Sequence, residues 1–76
     1  MYHTKELTYK EWARLCLTSE PSTGHRITQR YCHARGRGFS SMKHAGIVRA
    51  LKELVESGEA VMVINDYGEP LYSRSS

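Results

Sequence analysis

Seven arginine and lysine side chains lie between Glu20 and Glu53, and no acidic residue interrupts them. This stretch has a formal charge of +7 and the rest of the chain −4, which together give the net charge of +3. A block of one sign attracts a polyanion, and phosphate is the commonest candidate. The alternative is a solvated face that aids solubility, although such faces usually interleave acids. The residues are Arg26, Arg30, Arg35, Arg37, Lys43, Arg49 and Lys52.

Two cysteines and three histidines have the side chains that bind zinc, but their spacing does not match a metal site. No pair of them has the two to four intervening residues that are usual for zinc ligands. The adjacent residues Cys32 and His33 would also point to different faces of a helix. We therefore expect no metal and no other cofactor. The residues considered are Cys16, His25, Cys32, His33 and His44.

The histidines and tyrosines also have side chains that can transfer protons, and arginine can bind a phosphate. A small ribonuclease toxin is therefore an alternative, with His33 as a residue to test. No motif links these residues into a catalytic arrangement. We expect that the protein is not an enzyme.

The length of 76 residues predicts one domain with one small core, and 39% hydrophobic residues is enough to form it. No apolar run approaches the length that spans a bilayer, and the two cysteines match no disulfide framework. Residues 1–6 lack the apolar stretch of a signal peptide. We expect a reduced, cytoplasmic protein with no membrane partner and no evident small-molecule ligand.

The first helix is predicted at residues 8–18 from a capping box. In this motif the Thr8 hydroxyl accepts from the Glu11 N–H, and the Glu11 carboxylate accepts from the Thr8 N–H. The following Pro21 lies in a loop because proline does not continue a helix. Helical spacing places three side chains on one apolar face, namely Trp12, Leu15 and Cys16.

A second helix is predicted at about residues 24–35, starting after Thr23 or after Thr28, and Gly36 and Gly38 end it. A third helix is predicted at about residues 41–57, after Ser40 or Ser41 as N-cap. It ends at a glycine that can take the left-handed conformation. The apolar face of this third helix consists of Ile47, Leu51, Leu54 and Val55, and the terminal glycine is Gly58.

The last part of the chain predicts a β-hairpin at about residues 60–73, with a turn around Asp66. Pro70 has no N–H to give to a neighbouring strand, so we expect the second strand at the edge of the sheet. Residues 73–76 are expected to fray.

The sequence resembles the winged helix-turn-helix superfamily in the order of these elements. The resemblance is carried by Gly38–Ser41, by Ile47–Gly58 and by the hairpin that ends in Leu71–Tyr72. It implies an α+β fold with three helices followed by a C-terminal hairpin, the wing. It also implies that the third helix is a recognition helix whose N-terminal half enters the major groove of DNA.

The resemblance and the charge block together predict a double-stranded DNA-binding protein, such as a small transcriptional or accessory regulator. Arg49 would then reach a guanine edge or a phosphate. Within Arg35–Gly38, the arginines would contact phosphates or lie in a minor groove, or the segment is simply a flexible charged turn. The candidate DNA-binding residues are Arg26, Arg30, Arg35, Arg37, Ser40, Ser41, Met42, Lys43, Ala45, Gly46, Arg49 and Lys52.

Two features leave alternatives open. Gly46 within a helix indicates close approach either to DNA or to the first helix. The predicted wing tip is acidic, which disfavours contact with phosphates and favours a wing that points away or binds protein. Tyr67 and Tyr72 are the candidate interface residues, unless they cover the core. A homodimer or a protein partner through the wing, and an adaptor or inhibitor function, are therefore the alternative to DNA binding.

Overall fold

Three helices and a three-stranded antiparallel sheet form the computed structural model, which describes residues 7–75. The predicted α+β class, with three helices and a C-terminal hairpin, is confirmed. The second helix has the predicted bounds, and the other two begin and end within two residues of theirs. The elements are α1 at Tyr9–Cys16, β1 at Ser22–Thr23, α2 at Gly24–Arg35, α3 at Ser41–Glu56, β2 at Ala60–Ile64 and β3 at Pro70–Arg74.

The capping box that starts α1 is present. The Thr8 hydroxyl accepts from the Glu11 N–H at 3.2 Å, and the Glu11 carboxylate accepts from the Thr8 N–H at 3.0 Å. The helix ends earlier than predicted because Leu17 is extended, which carries its side chain into the core with 1% exposed. Leu15 is 60% exposed, so its predicted place on the buried face is wrong, and Ala13 is buried there instead.

The core lies where the three helices pack on one another and on one face of the sheet. The predicted apolar face of α3 is confirmed for Ile47, Leu51 and Leu54, which are fully buried, whereas Val55 is partly buried. Burial of each such side chain contributes roughly 1.5–3 kcal/mol, so this face holds the helices together. The other buried apolar residues are Ala13, Cys16, Leu17, Ile27, Tyr31, Cys32, Ala50, Ala60 and Tyr72.

The predicted end of α3 at Gly58 is also confirmed. Gly58 has φ +83°, a left-handed conformation that favours glycine. The turn lets the Glu59 N–H donate to the Leu54 carbonyl at 2.9 Å and the Gly58 N–H to the Val55 carbonyl at 3.1 Å. These bonds satisfy carbonyls that the helix end would otherwise leave without a donor.

Strand β3 lies between β1 and β2, so the prediction that Pro70 places it at the sheet edge is wrong. The unpredicted strand β1 pairs Ser22 with Tyr72 and Thr23 with Leu71. The next residue of the chain begins α2, so β1 ends just before it would reach Pro70. A proline that faces β1 at this position therefore leaves no sheet hydrogen bond unmade.

The hydrogen bonds of the hairpin show that Pro70 does face β1. The Asn65 N–H donates to the Glu69 carbonyl at 2.9 Å, and the Ser75 N–H donates to the Glu59 carbonyl at 3.2 Å. Bonded and non-bonded pairs alternate along an antiparallel ladder, so Pro70 occupies a non-bonded position relative to β2. The Pro70 carbonyl therefore points away from β2, toward the side of β1.

The expected fraying of residues 73–76 is wrong for residues 73–75. The Arg74 N–H donates to the Thr18 carbonyl at 2.9 Å, and the Ser75 bond continues the hairpin ladder. Ser76 lies outside the described residues. No helix within residues 7–75 combines the length and the apolar character that crossing a membrane requires.

Candidate functional site

Helix α3 presents one exposed stripe opposite its buried face. Spacings of three and four residues place its members on the same side of the helix. Glu53 and Glu56 are the exposed residues that follow, so the last turn of this face is acidic. The two cations of the stripe, Arg49 and Lys52, lie just before this acidic turn. The exposed stripe residues before the last turn are Ser41, Met42, Ala45, Arg49 and Lys52.

The turn before α3, residues 36–40, is held by hydrogen bonds to the first residues of that helix. The Ser40 hydroxyl caps the helix by accepting from the Lys43 N–H at 3.2 Å. The Lys43 ammonium donates to the Gly38 carbonyl at 2.7 Å and so closes the turn. Ser40 and Lys43 thus have structural roles here, whereas Arg37 in the same turn is exposed.

Among residues 7–75, four cations of the block are exposed and have no acidic partner there. Arg26 lies in the first turn of α2, Arg37 in the turn, and Arg49 and Lys52 on α3. Within residues 7–75, none of these four side chains forms an ion pair with an acid. Their charge is therefore available to an external anion.

Two predicted contact residues are engaged inside the protein instead. Arg30 donates to the Cys16 carbonyl at 3.3 Å and to the Ser22 hydroxyl at 3.0 Å, which ties α2 to α1 and β1. Arg35 donates to the Tyr31 hydroxyl at 3.0 Å, with its guanidinium carbon 5.8 Å from the ring centroid. Neither arginine is therefore part of the candidate surface.

Gly46 contacts the first helix, which decides between the two alternatives for it. A Cβ atom on Gly46 would lie 2.7 Å from the ring of Tyr9, well inside van der Waals contact. The Tyr9 ring in turn packs beside Tyr31, with their centroids 5.7 Å apart. Gly46 thus permits helix packing and is not part of the exposed stripe.

An aromatic cluster that the sequence did not predict joins the turn to the start of α2. The Phe39 ring lies 4.7 Å from His25 and 5.8 Å from His44, and the two histidines are 6.0 Å apart between centroids. His25 lies in α2, Phe39 in the turn and His44 in α3, so no spacing pattern within one helix reveals the cluster. The cluster holds the turn that carries Arg37 against α2. Within residues 7–75 no three ligand side chains could hold a metal ion together.

The wing tip is ordered by Asn65. Its side-chain oxygen accepts from the N–H groups of Tyr67 and Glu69, both at 2.9 Å, and its amide donates to the Glu69 carboxylate at 3.2 Å. Tyr67 is 89% exposed at the tip. Tyr72 is only 2% exposed and belongs to the core, so its predicted interface role is wrong.

Three groups outside this surface have shifted pKa values, each with a structural cause. Burial raises the pKa of the Cys16 thiol, which keeps it protonated and unreactive in the core. Burial also raises the pKa of the Tyr72 hydroxyl. The hydrogen bond from Arg14 lowers the pKa of Glu59 below its usual range. These shifts result from packing and pairing, and none of them points to catalysis.

Comparison of the chain with protein-family models and with curated proteins found no match.

Proposed function

We propose that the positive stripe of α3 and the turn before it bind double-stranded DNA. The observation that carries the proposal is a set of four exposed cations that have no acidic partner in the described part of the chain, namely Arg26, Arg37, Arg49 and Lys52. Phosphates compete poorly for cations that are already paired, so their availability favours a polyanionic ligand. Three helices followed by a hairpin are also the order of elements that the resemblance to winged helix-turn-helix proteins implies.

The side chains at the start of α3 suit entry into a groove. Ser41, Met42 and Ala45 are small or flexible, and the major groove is wide enough to admit one helix. Arg49 follows on the same stripe and has the planar donor pair that recognises guanine. The partial positive charge at a helix N-terminus adds to the attraction for phosphate.

The acidic parts of the surface limit which end of α3 meets DNA. Glu53 and Glu56 would repel phosphates at the last turn of the helix. The Glu69 carboxylate, held by Asn65, and Asp66 would do the same at the wing tip. DNA would therefore contact the face of α3 that precedes Glu53 and the turn before the helix, and the wing tip would stay off the phosphate backbone.

Salt dependence tests the proposal. With about four phosphate contacts, affinity for duplex DNA should fall roughly 100-fold between about 50 and 200 mM salt. Arg37→Ala should weaken binding to all sequences and reduce the salt slope by about 1, while Arg49→Ala should also change base preference. Arg74→Ala removes an exposed arginine outside the charge block and is the matched control. Absent binding, or an equal effect of Arg74→Ala and Arg37→Ala, would contradict it.

The second candidate function is a protein-interaction adaptor or inhibitor, and the wing favours it. Tyr67 is exposed between two acidic residues on a turn that Asn65 holds by hydrogen bonds, a combination suited to protein recognition. This function predicts that Tyr67→Ala disrupts binding to a partner protein and that no salt-dependent affinity for duplex DNA is found.

A further inference from the structure

Strand β2 is an uncharged, exposed sheet edge. Its four residues after Ala60 are all apolar, and their side chains are 42–58% exposed. Within residues 7–75 no strand pairs with its outer side. Natural edge strands are usually protected from other chains by lysine, proline or a bulge. None of these residues or irregularities occurs in Ala60–Ile64, which pairs regularly with β3 over its whole length.

The backbone groups of this edge follow from the ladder established above. Glu59 and Asn65 bond to β3, and bonded positions alternate, so Val61 and Val63 also face β3. The residues between them, Ala60, Met62 and Ile64, therefore direct their N–H and C=O groups away from β3. Ala60 is buried, so only the groups of Met62 and Ile64 lie on the open side.

We propose that a second copy of this chain pairs antiparallel with β2, about a two-fold axis at Met62. In this register Met62 faces Met62 of the second copy, and Ala60 faces Ile64 of the second copy. The Met62 residues of the two copies then form the central bonded pair, because the axis passes through them. The two sheets would join into one continuous six-stranded sheet.

The edge is complementary to itself, which is why we assign a second copy as the occupant. The two-fold register places Glu59 opposite Asn65 of the second copy, so no like charges meet at the ends of the pairing. The other sheet edge, β1, has only two residues and offers little to a β2 strand. Pairing of β2 with β2 is therefore favoured, and because it is isologous it closes at a dimer.

The contact between two such strands is small. A five-residue pairing buries less than the roughly 1,600 Å² of a standard interface, which places it among weak or transient ones. We expect a reversible dimer that forms at micromolar or higher concentration. The inference concerns a different face from the stripe of α3 and does not depend on DNA binding.

Sedimentation velocity across a concentration series tests the dimer. The wild-type chain should shift from monomer to dimer, and Met62→Lys should remain monomeric because two lysines would meet at the axis. Leu15→Lys adds the same charge at an exposed site on α1 and should dimerise like the wild type. A monomeric wild type at all concentrations, or equal behaviour of the two lysine variants, would overturn the proposal.

Two further variants keep the test decisive if Met62→Lys does not fold. Ile64→Pro removes an N–H that points to the open side and so should abolish dimerisation without breaking the ladder to β3. Met62→Cys should form an intermolecular disulfide readily under mild oxidation, because bonded antiparallel pairs have Cα atoms about 5.5 Å apart. Leu15→Cys should not form such a disulfide under the same conditions. Cross-linking of both cysteine variants at the same rate would contradict the register.

Discussion

The contact between Gly46 and Tyr9 shows how the absence of a side chain at one position lets two helices pack closely. The Tyr9 ring occupies the space where a Cβ atom of residue 46 would lie. It is held there by Tyr31, so α1 can approach α3 closely at this point. In isolation, alanine would favour the helix by about 1 kcal/mol over glycine. The cost of glycine is therefore offset by tertiary packing.

A double-mutant cycle tests this coupling. We expect Gly46→Ala to increase the free energy of unfolding by about 1 kcal/mol in a Tyr9→Ala background, where the ring no longer competes for space. In the wild-type background the same substitution should be less favourable by about 1–2 kcal/mol, because the ring must leave Tyr31. Urea unfolding measures both values. Equal effects of Gly46→Ala in the two backgrounds would show that Tyr9 does not restrict residue 46.

At the scale of elements, an ion pair joins the first helix to the sheet. Arg14 near the end of α1 donates to the Glu59 carboxylate at 2.8 Å, just before β2 begins. The Ser57 hydroxyl donates to the same carboxylate at 2.9 Å. These bonds to the ionised form lower the pKa of Glu59. The link therefore depends on pH.

Acid should weaken this link. A carboxyl whose pKa is lower in the folded than in the unfolded chain stabilises the fold above the unfolded value, and the contribution is lost as the pH falls through the folded value. The stability difference between wild type and Glu59→Gln should thus be largest near neutral pH and disappear under acidic conditions. Thermal unfolding of both proteins across the acid range measures it. A difference that does not change with pH would exclude ionisation of Glu59 as its cause.

The elements that could be predicted from the sequence are those with local causes. The capping box at Thr8, the apolar face of α3 and the left-handed Gly58 each depend on a few neighbouring residues. Strand β1 has only two residues and exists because β3 lies beside it, so it has no pattern of its own. The central position of β3 could not be predicted either, because it depends on β1. Pro70 is compatible with a central strand only because β1 ends before it reaches Pro70.

At the scale of the whole molecule, the surface separates into distinct faces. The exposed stripe of α3 carries Arg49 and Lys52, acidic residues occupy the last turn of α3 and the wing tip, and β2 is uncharged. The sequence predicted the charge block but not which cations stay available. Arg30, Arg35 and Lys43 are engaged by groups of the protein itself, and only folding reveals this. The candidate site is therefore smaller than the charge block suggests.

The most direct test of the account is to observe which backbone amides respond when duplex DNA is added. In a nitrogen-15 NMR titration at low salt, we predict the largest shift changes at Arg37 and across residues 41–49. Amides of the wing tip, residues 66–69, should change little. Shift changes concentrated in the wing tip or in β2, with α3 unaffected, would contradict the claim that the stripe of α3 binds DNA.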